Sequence, residues 1–178
     1  MKKLLVAIVV VTMARVLNAA SVTWTLAAVQ KPDGSGAAAN YLAMVFSGDS
    51  SQSSVISAIM ARNSSGLVAL ANDWNQTTQT TSAGLLRSSG NGNYSAGEAF
   101  SAFIVIFDAS TVLDANHFFV SQTKSGKIAA NGANATLAFG TYAQNVTAGS
   151  AWQAIPEPTS GLMILLGMAG LALRRKQA

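Results

Sequence analysis

Apolar and polar positions divide this chain into two greasy ends and a middle of short apolar runs broken by turn residues. The first run, Leu4 to Met13, follows Lys2 and Lys3 and precedes the small residues Ala19 and Ala20. A positive start, about ten apolar residues and a small-residue site describe a secretory leader, too short to span a bilayer. Cleavage is expected after Ala19 or Ala20, with Arg15 an unusual insertion before the site. The last run, Gly161 to Leu173, is wholly apolar or glycine and is stopped by Arg174, Arg175 and Lys176. As a helix it would extend about 20 Å at 1.5 Å per residue, short of the ~30 Å hydrocarbon core. Snorkelling arginines extend its reach, and the positive-inside rule keeps them cytoplasmic. A leader that sends Ala20 onward outside agrees with that orientation.

Between the ends the patterns predict mostly strands. Val22, Trp24, Leu26 and Ala28 alternate with Thr23, Thr25 and Ala27, giving a strand with one greasy face. KPDGSG at 31–36 is a turn, and YLAMVF at 41–46 is a buried strand. Val55, Ile56, Ile59 and Met60 share one face of a helix of about three turns, with Ser50 or Ser51 as cap and 63–66 as its end. Leu67 to Leu70 reads as a further strand; residues 72–82 fit a Thr-rich strand or an exposed loop. Asn91-Gly92 predicts a tight hairpin turn, since both positions accept positive φ. FSAFIVIF at 100–107 is apolar on both faces, as a central strand between two layers should be. His117 to Val120 is a short strand, Asn131-Gly132 a turn, and ATLAF at 135–139 another strand. The expected fold is mainly β: a β-sandwich-like single domain with one short helix, flanked by an N-terminal signal peptide and a C-terminal transmembrane helix. Abundant alanine weakens the strand pattern, and no internal repeat suggests a solenoid. The expected boundaries are a signal peptide at 1–20, an exported β-rich domain at 21–150, a linker at 151–155 and a tail at 156–178.

Charge changes its meaning once it is located. The formal +4 resides at the ends; from Ala20 to Ile155 five cations face six anions, about −1 in all. No basic patch with interleaved aromatics occurs, which argues against nucleic acid. With no cysteine, disulfides, thiolate nucleophiles and zinc–thiolate sites are excluded.

The tail reads IPEPTSGLMILLGMAGLALRRKQA. Pro156 and Pro158 fix φ and remove two backbone donors, forcing an extended approach; Thr159 or Ser160 can cap the helix beyond. Pro156, Glu157 and Pro158, a short apolar helix and the basic stop Arg174, Arg175 and Lys176, in this order, resemble the PEP-CTERM sorting signal. The resemblance covers about 23 residues, from Pro156 to Ala178. It implies export through Sec-type translocation machinery and recognition by an exosortase, a membrane enzyme with a catalytic cysteine. It also implies a transient inner-membrane anchor through the C-terminal helix. Processing near the motif would then deliver the protein to the cell surface or exterior. Proteins with such tails often accompany exopolysaccharide and biofilm systems. The resemblance says nothing of the body.

Reactive groups in the body are few. His117, the sole histidine, could join Asp108 or Asp114 and a serine, but no nucleophile-elbow pattern supports a triad. A glycosidase needs two facing carboxylic groups, and only Glu98 and five aspartates are available. Asp108 and Asp114 flank a loop that could donate carbonyl oxygens to calcium, but both calcium-loop patterns are absent, and turn capping explains the two aspartates better. KSGK at 124–127 lacks the spacing of a phosphate loop and reads as a solvated turn. Among Trp24, Trp74, Tyr94 and Trp152, Trp74 is the candidate for stacking on a sugar, because Asn72, Asp73, Asn75 and Gln76 surround it; Trp24 points to the core. The expectation is therefore a protein without catalytic residues, cofactor or metal. Its role would be structural or adhesive at the surface or in the extracellular matrix. The alternative is a carbohydrate-binding module for exopolysaccharide or another glycan; an exported hydrolase comes third. The three divide on whether Trp74, Tyr94, Asp108 and Glu98 meet on one concave surface.

Overall fold

The computed structural model describes residues 20–71, 77–81, 83–146 and 151–157. The segments expected to be a signal peptide and a tail helix, together with Trp74, Pro158, Arg174, Arg175 and Lys176, lie outside them. No helix among the described residues is long and apolar enough to cross a membrane.

Two sheets face each other. Strand β1 (Ala20–Ala27) is the centre of a three-stranded sheet, antiparallel to β4 (Leu86–Tyr94) and parallel to β8 (Ala135–Thr141). The second sheet runs β3 (Thr77–Gln79), β2 (Leu42–Ser47), β5 (Ala99–Phe107), β6 (His117–Val120) and β9 (Gln153–Ala154). The first half of β5 also pairs with β7 (Lys124–Lys127). Helices α1 (Gln52–Met60) and α2 (Ser64–Ala71) cover the outer face of this larger sheet, and a single turn, α3 (Tyr142–Asn145), follows β8.

The layers follow from side-chain alternation. Val22, Trp24 and Leu26 point inward from β1 and are fully buried, against Ala43, Val45, Ala102, Ile104 and Ile106 of the larger sheet. The residues between them on β2 and β5 point the other way. Met44, Phe46, Phe103, Val105 and Phe107 meet Val55 and Ile59 of α1 and Leu67 and Ala71 of α2. This is why β5 is apolar on both faces: it has a core on each side. Mainly-β architecture and the sandwich agree with the sequence pattern, as do the turns at 31–36 and at Asn131-Gly132, where Gly132 N–H donates to Ala129 O at 2.9 Å.

Six local readings differ. Leu67–Leu70 is helical, so two helices and a turn replace the single helix expected. Asn63 begins the second helix rather than merely ending the first: its Oδ1 accepts the Gly66 N–H at 2.9 Å, an N-cap bond. Asn91-Gly92 lies inside β4, where the register jumps from Ala20–Tyr94 to Ser21–Asn91; an edge strand absorbs the extra residues as a bulge. The reversal comes at Ser95–Glu98, closed by Glu98 Oε2 accepting the Ser95 N–H at 2.7 Å. KSGK is strand β7, and its glycine sits opposite Phe100, whose ring occupies the space a Cβ would take. Ala28 ends β1 with φ of 54° and is exposed, so Val29 takes the buried place. Finally, the stretch read as a linker carries β9 and the buried Ile155.

Candidate functional site

The best-defined polar site of the body is the seat it builds for its own tail motif. Strand β9 adds to the edge of β6, with His117 opposite Ala154 and Phe118 opposite Gln153. The next amide, Ile155 N–H, donates to Asn116 O at 2.7 Å, and the Ile155 side chain is 4% exposed among the apolar residues beneath the helices. Upstream, Trp152 enters from the sandwich side. Its ring lies 5.8 Å from Tyr41, edge to face, and 6.1 Å and 6.4 Å from Phe119 and Tyr142. Its indole N–H donates to Gln30 O at 3.1 Å. Aromatic body and polar edge are both satisfied, which is how tryptophan anchors a chain end. Burial, then the negative charges of Asp108 and Asp33, raises the Tyr41 hydroxyl above its ordinary pKa; burial alone raises Tyr142.

Downstream, Arg62 reaches over the motif. Its Nε donates to Pro156 O at 3.3 Å, and its Nη1 to Leu113 O at 2.8 Å and Ala115 O at 3.2 Å. One guanidinium thus ties α1, the 113–115 loop and the first proline of the motif. Arg62 sits at φ of 50°, where Arg62 N–H bonds Ile59 O and Asn63 N–H bonds Ala58 O. That is a Schellman end, whose left-handed position normally carries glycine.

The loop Arg62 grips is itself held by Asp108. Oδ1 accepts the Asn116 and His117 N–H groups at 2.8 and 2.9 Å, and Oδ2 meets His117 Nδ1 at 2.8 Å. Asp114 accepts from the Thr111 hydroxyl at 2.6 Å. Both aspartates are turn-building groups, and no set of three or more metal-ligating side chains gathers among the described residues.

Of the residues considered for glycan contact, Tyr94 and Glu98 share a cleft of about 290 Å³ with Asp49, Ser47, Ser101 and Ser125. Asp108 lies elsewhere, at the tail seat. Tyr94 packs on Phe100 with centroids 5.2 Å apart. Trp24 is core, as expected; Trp152 is a tether rather than a free stacking surface. Pro156 and Glu157 are exposed.

A family model described as the PEP-CTERM protein-sorting motif matches residues 154–176. The chain carries a PEP-CTERM sorting motif. It marks an exported protein processed by an exosortase at the membrane on its way to the cell surface. The match begins at Ala154, inside β9, so the motif and the folded body overlap. No curated protein and no solved structure matches the chain.

Proposed function

We propose that this is a non-catalytic surface or extracellular-matrix protein whose body is the delivered cargo and whose role is structural or adhesive. The observation that carries the reading is the sorting motif, 154–176, continuous with the last strand of the body. After processing, whatever holds the new C-terminus holds the sandwich directly. A threonine- and alanine-rich outer face on the smaller sheet supports display: Thr23, Thr25, Thr136 and Ala138 line a shallow depression there. Such a face offers hydroxyls at low charge, suited to contact with a hydrated matrix.

A second reading, glycan binding, is favoured by the Tyr94 cleft. Its volume is at the lower limit of the ~300–1,000 Å³ of small-ligand sites. Tyr94 and Phe100 amid hydroxyls and two carboxylates suit a neutral or amino sugar better than an acidic one.

The test compares a strain lacking the protein with one complemented by wild type or by a Tyr94→Ala variant. Matrix cohesion and cell adhesion should fall in the deletion and return with wild type. Rescue by Tyr94→Ala supports the structural role; loss of rescue together with lost retention on exopolysaccharide supports glycan binding. A hydrolytic activity of the secreted protein that disappears with His117→Ala would overturn both.

A further inference from the structure

Arg62 occupies a position built for glycine. A left-handed conformation is unfavourable for a non-glycine residue, and a glycine at a Schellman end would avoid that cost. What the arginine adds is a cation with a planar fork. All three of its recorded partners are backbone carbonyls; two belong to the 113–115 loop and the third is Pro156 O. Together with the Ile155–Asn116 bond, the buried Ile155 side chain and the partly buried Trp152, these contacts bind the chain through Pro156 and leave Glu157 exposed.

A peptide bond is cut only when the chain around it can enter an active site in extended form. Residues in β9 are already paired with β6, and their upstream flank is anchored by Trp152. We infer that Arg62 is a positioning residue for sorting: it latches the motif to the body, so that the fold sets the upstream limit of what the sorting enzyme can grip. The inference rests on the exosortase reading of the tail. The cut falls C-terminal to Pro156. The acyl carbon stays with the body and passes to water or to an acceptor hydroxyl or amine, and the membrane segment leaves with the new amine. The mature body keeps β9 whole.

The experiment uses the full chain, expressed with an exosortase, in wild type, Arg62→Gly and Arg62→Lys forms. Glycine suits the backbone at 62, so the variant removes the latch without stressing the helix pair. Two readouts are taken: the intact mass of the surface form, and the rate at which an added non-specific protease cuts within 146–156 of the full chain. Wild type should give a C-terminus at Pro156 or beyond. Arg62→Gly should give mixed termini, some upstream of Pro156, and cutting faster by about tenfold, which corresponds to ~1.4 kcal/mol. Arg62→Lys, with charge but no fork, should fall between. An unchanged urea midpoint confirms that the variant body is intact. Wild-type termini upstream of Pro156, or identical termini and protease rates in Arg62→Gly, overturn the latch. A surface form ending at Ala178 overturns the sorting reading instead, while the protease rates still judge the latch.

Discussion

Replacing Asp108 by alanine isolates the group that holds the 108–117 loop, and with it the seat of the tail. The carboxylate accepts two backbone N–H groups, from Asn116 at 2.8 Å and His117 at 2.9 Å, and its side chain is 12% exposed. A hydrogen bond to a charged group contributes about 1.5–3 kcal/mol net. The lower limit applies here, because water reaches the loop, so the two bonds sum to about 3 kcal/mol. The contact with His117 Nδ1 adds little: the histidine is 40% exposed, and screened surface pairs contribute about 0–1 kcal/mol. Asp108→Ala should therefore destabilise by about 3 kcal/mol, His117→Ala by less than about 1. Asp108→Asn keeps an acceptor for both amides and should cost about 1 kcal/mol. With a urea slope of about 2 kcal/mol/M, the alanine variant's midpoint falls by about 1.5 M. Tryptophan emission reports the transition, since Trp24 is fully buried. A His117→Ala loss equal to that of Asp108→Ala would refute the reasoning, because the ion pair rather than the amide bonds would then hold the loop.

Further outcomes are expected. Trp24 Nε1 is buried with no acceptor among the described residues, a cost of about 1–3 kcal/mol. Trp24→Phe should thus stay within about 1 kcal/mol of wild type in the same denaturation assay, whereas Trp24→Ala should lose about 3–5. Tyr41 and Tyr142 both have raised folded-state pKa values, so their contribution is present below the unfolded value of about 10 and is lost as pH rises through the folded value. Stability measured from pH 9 to 12 should decline, and a double Tyr→Phe variant should decline less. Ala20 is 2% exposed and paired with Tyr94, so mass spectrometry of the secreted form should find Ala20, not Ser21, at the N-terminus.

How much of this was legible depends on whether the determining contacts are local. Strand β5 was plain because seven of its nine residues carry buried apolar side chains to two cores at once. Strand β1 was plain from strict alternation. Helix α2 was not: SSGLVALA is short, and its cap, Asn63, looks from sequence like a terminator of the helix before it. Strand β7 was hidden because KSGK has turn composition; only the Phe100 ring lying over Gly126 explains the glycine. Asn91-Gly92 carries a true turn signal that a bulge in an edge strand also satisfies. At the tail, the motif itself was readable and its seat was not. Two residues of β9 make no pattern, and they are a strand only because β6, far back along the chain, offers an open edge, with His117 opposite Ala154 and Phe118 opposite Gln153. Arg62 left one usable trace, a non-glycine between two helices joined by a single tight turn. Trp74, favoured for sugar contact, lies outside the described residues, and the Tyr94 cleft depends on strand pairings that no local pattern encodes.

The overlap of address and fold has a mechanical consequence. Ile155 is buried, and the apolar run begins at Gly161, so five residues separate the buried end of the body from that run. At most ~3.6 Å per residue gives a reach of about 20 Å, and two prolines stiffen it. With that run in the bilayer, as the proposed sorting route requires, a sandwich on so short a leash would stand against the membrane surface until it is cut. On that reading the sorting enzyme would meet the folded body together with the peptide, next to the edge formed by Arg62, the 113–115 loop and β9. Lengthening the segment between Pro158 and Gly161 with glycine and serine should relax that crowding without touching the latch. Selectivity of the cut would then persist while its rate changes, because reach and latching act on different steps.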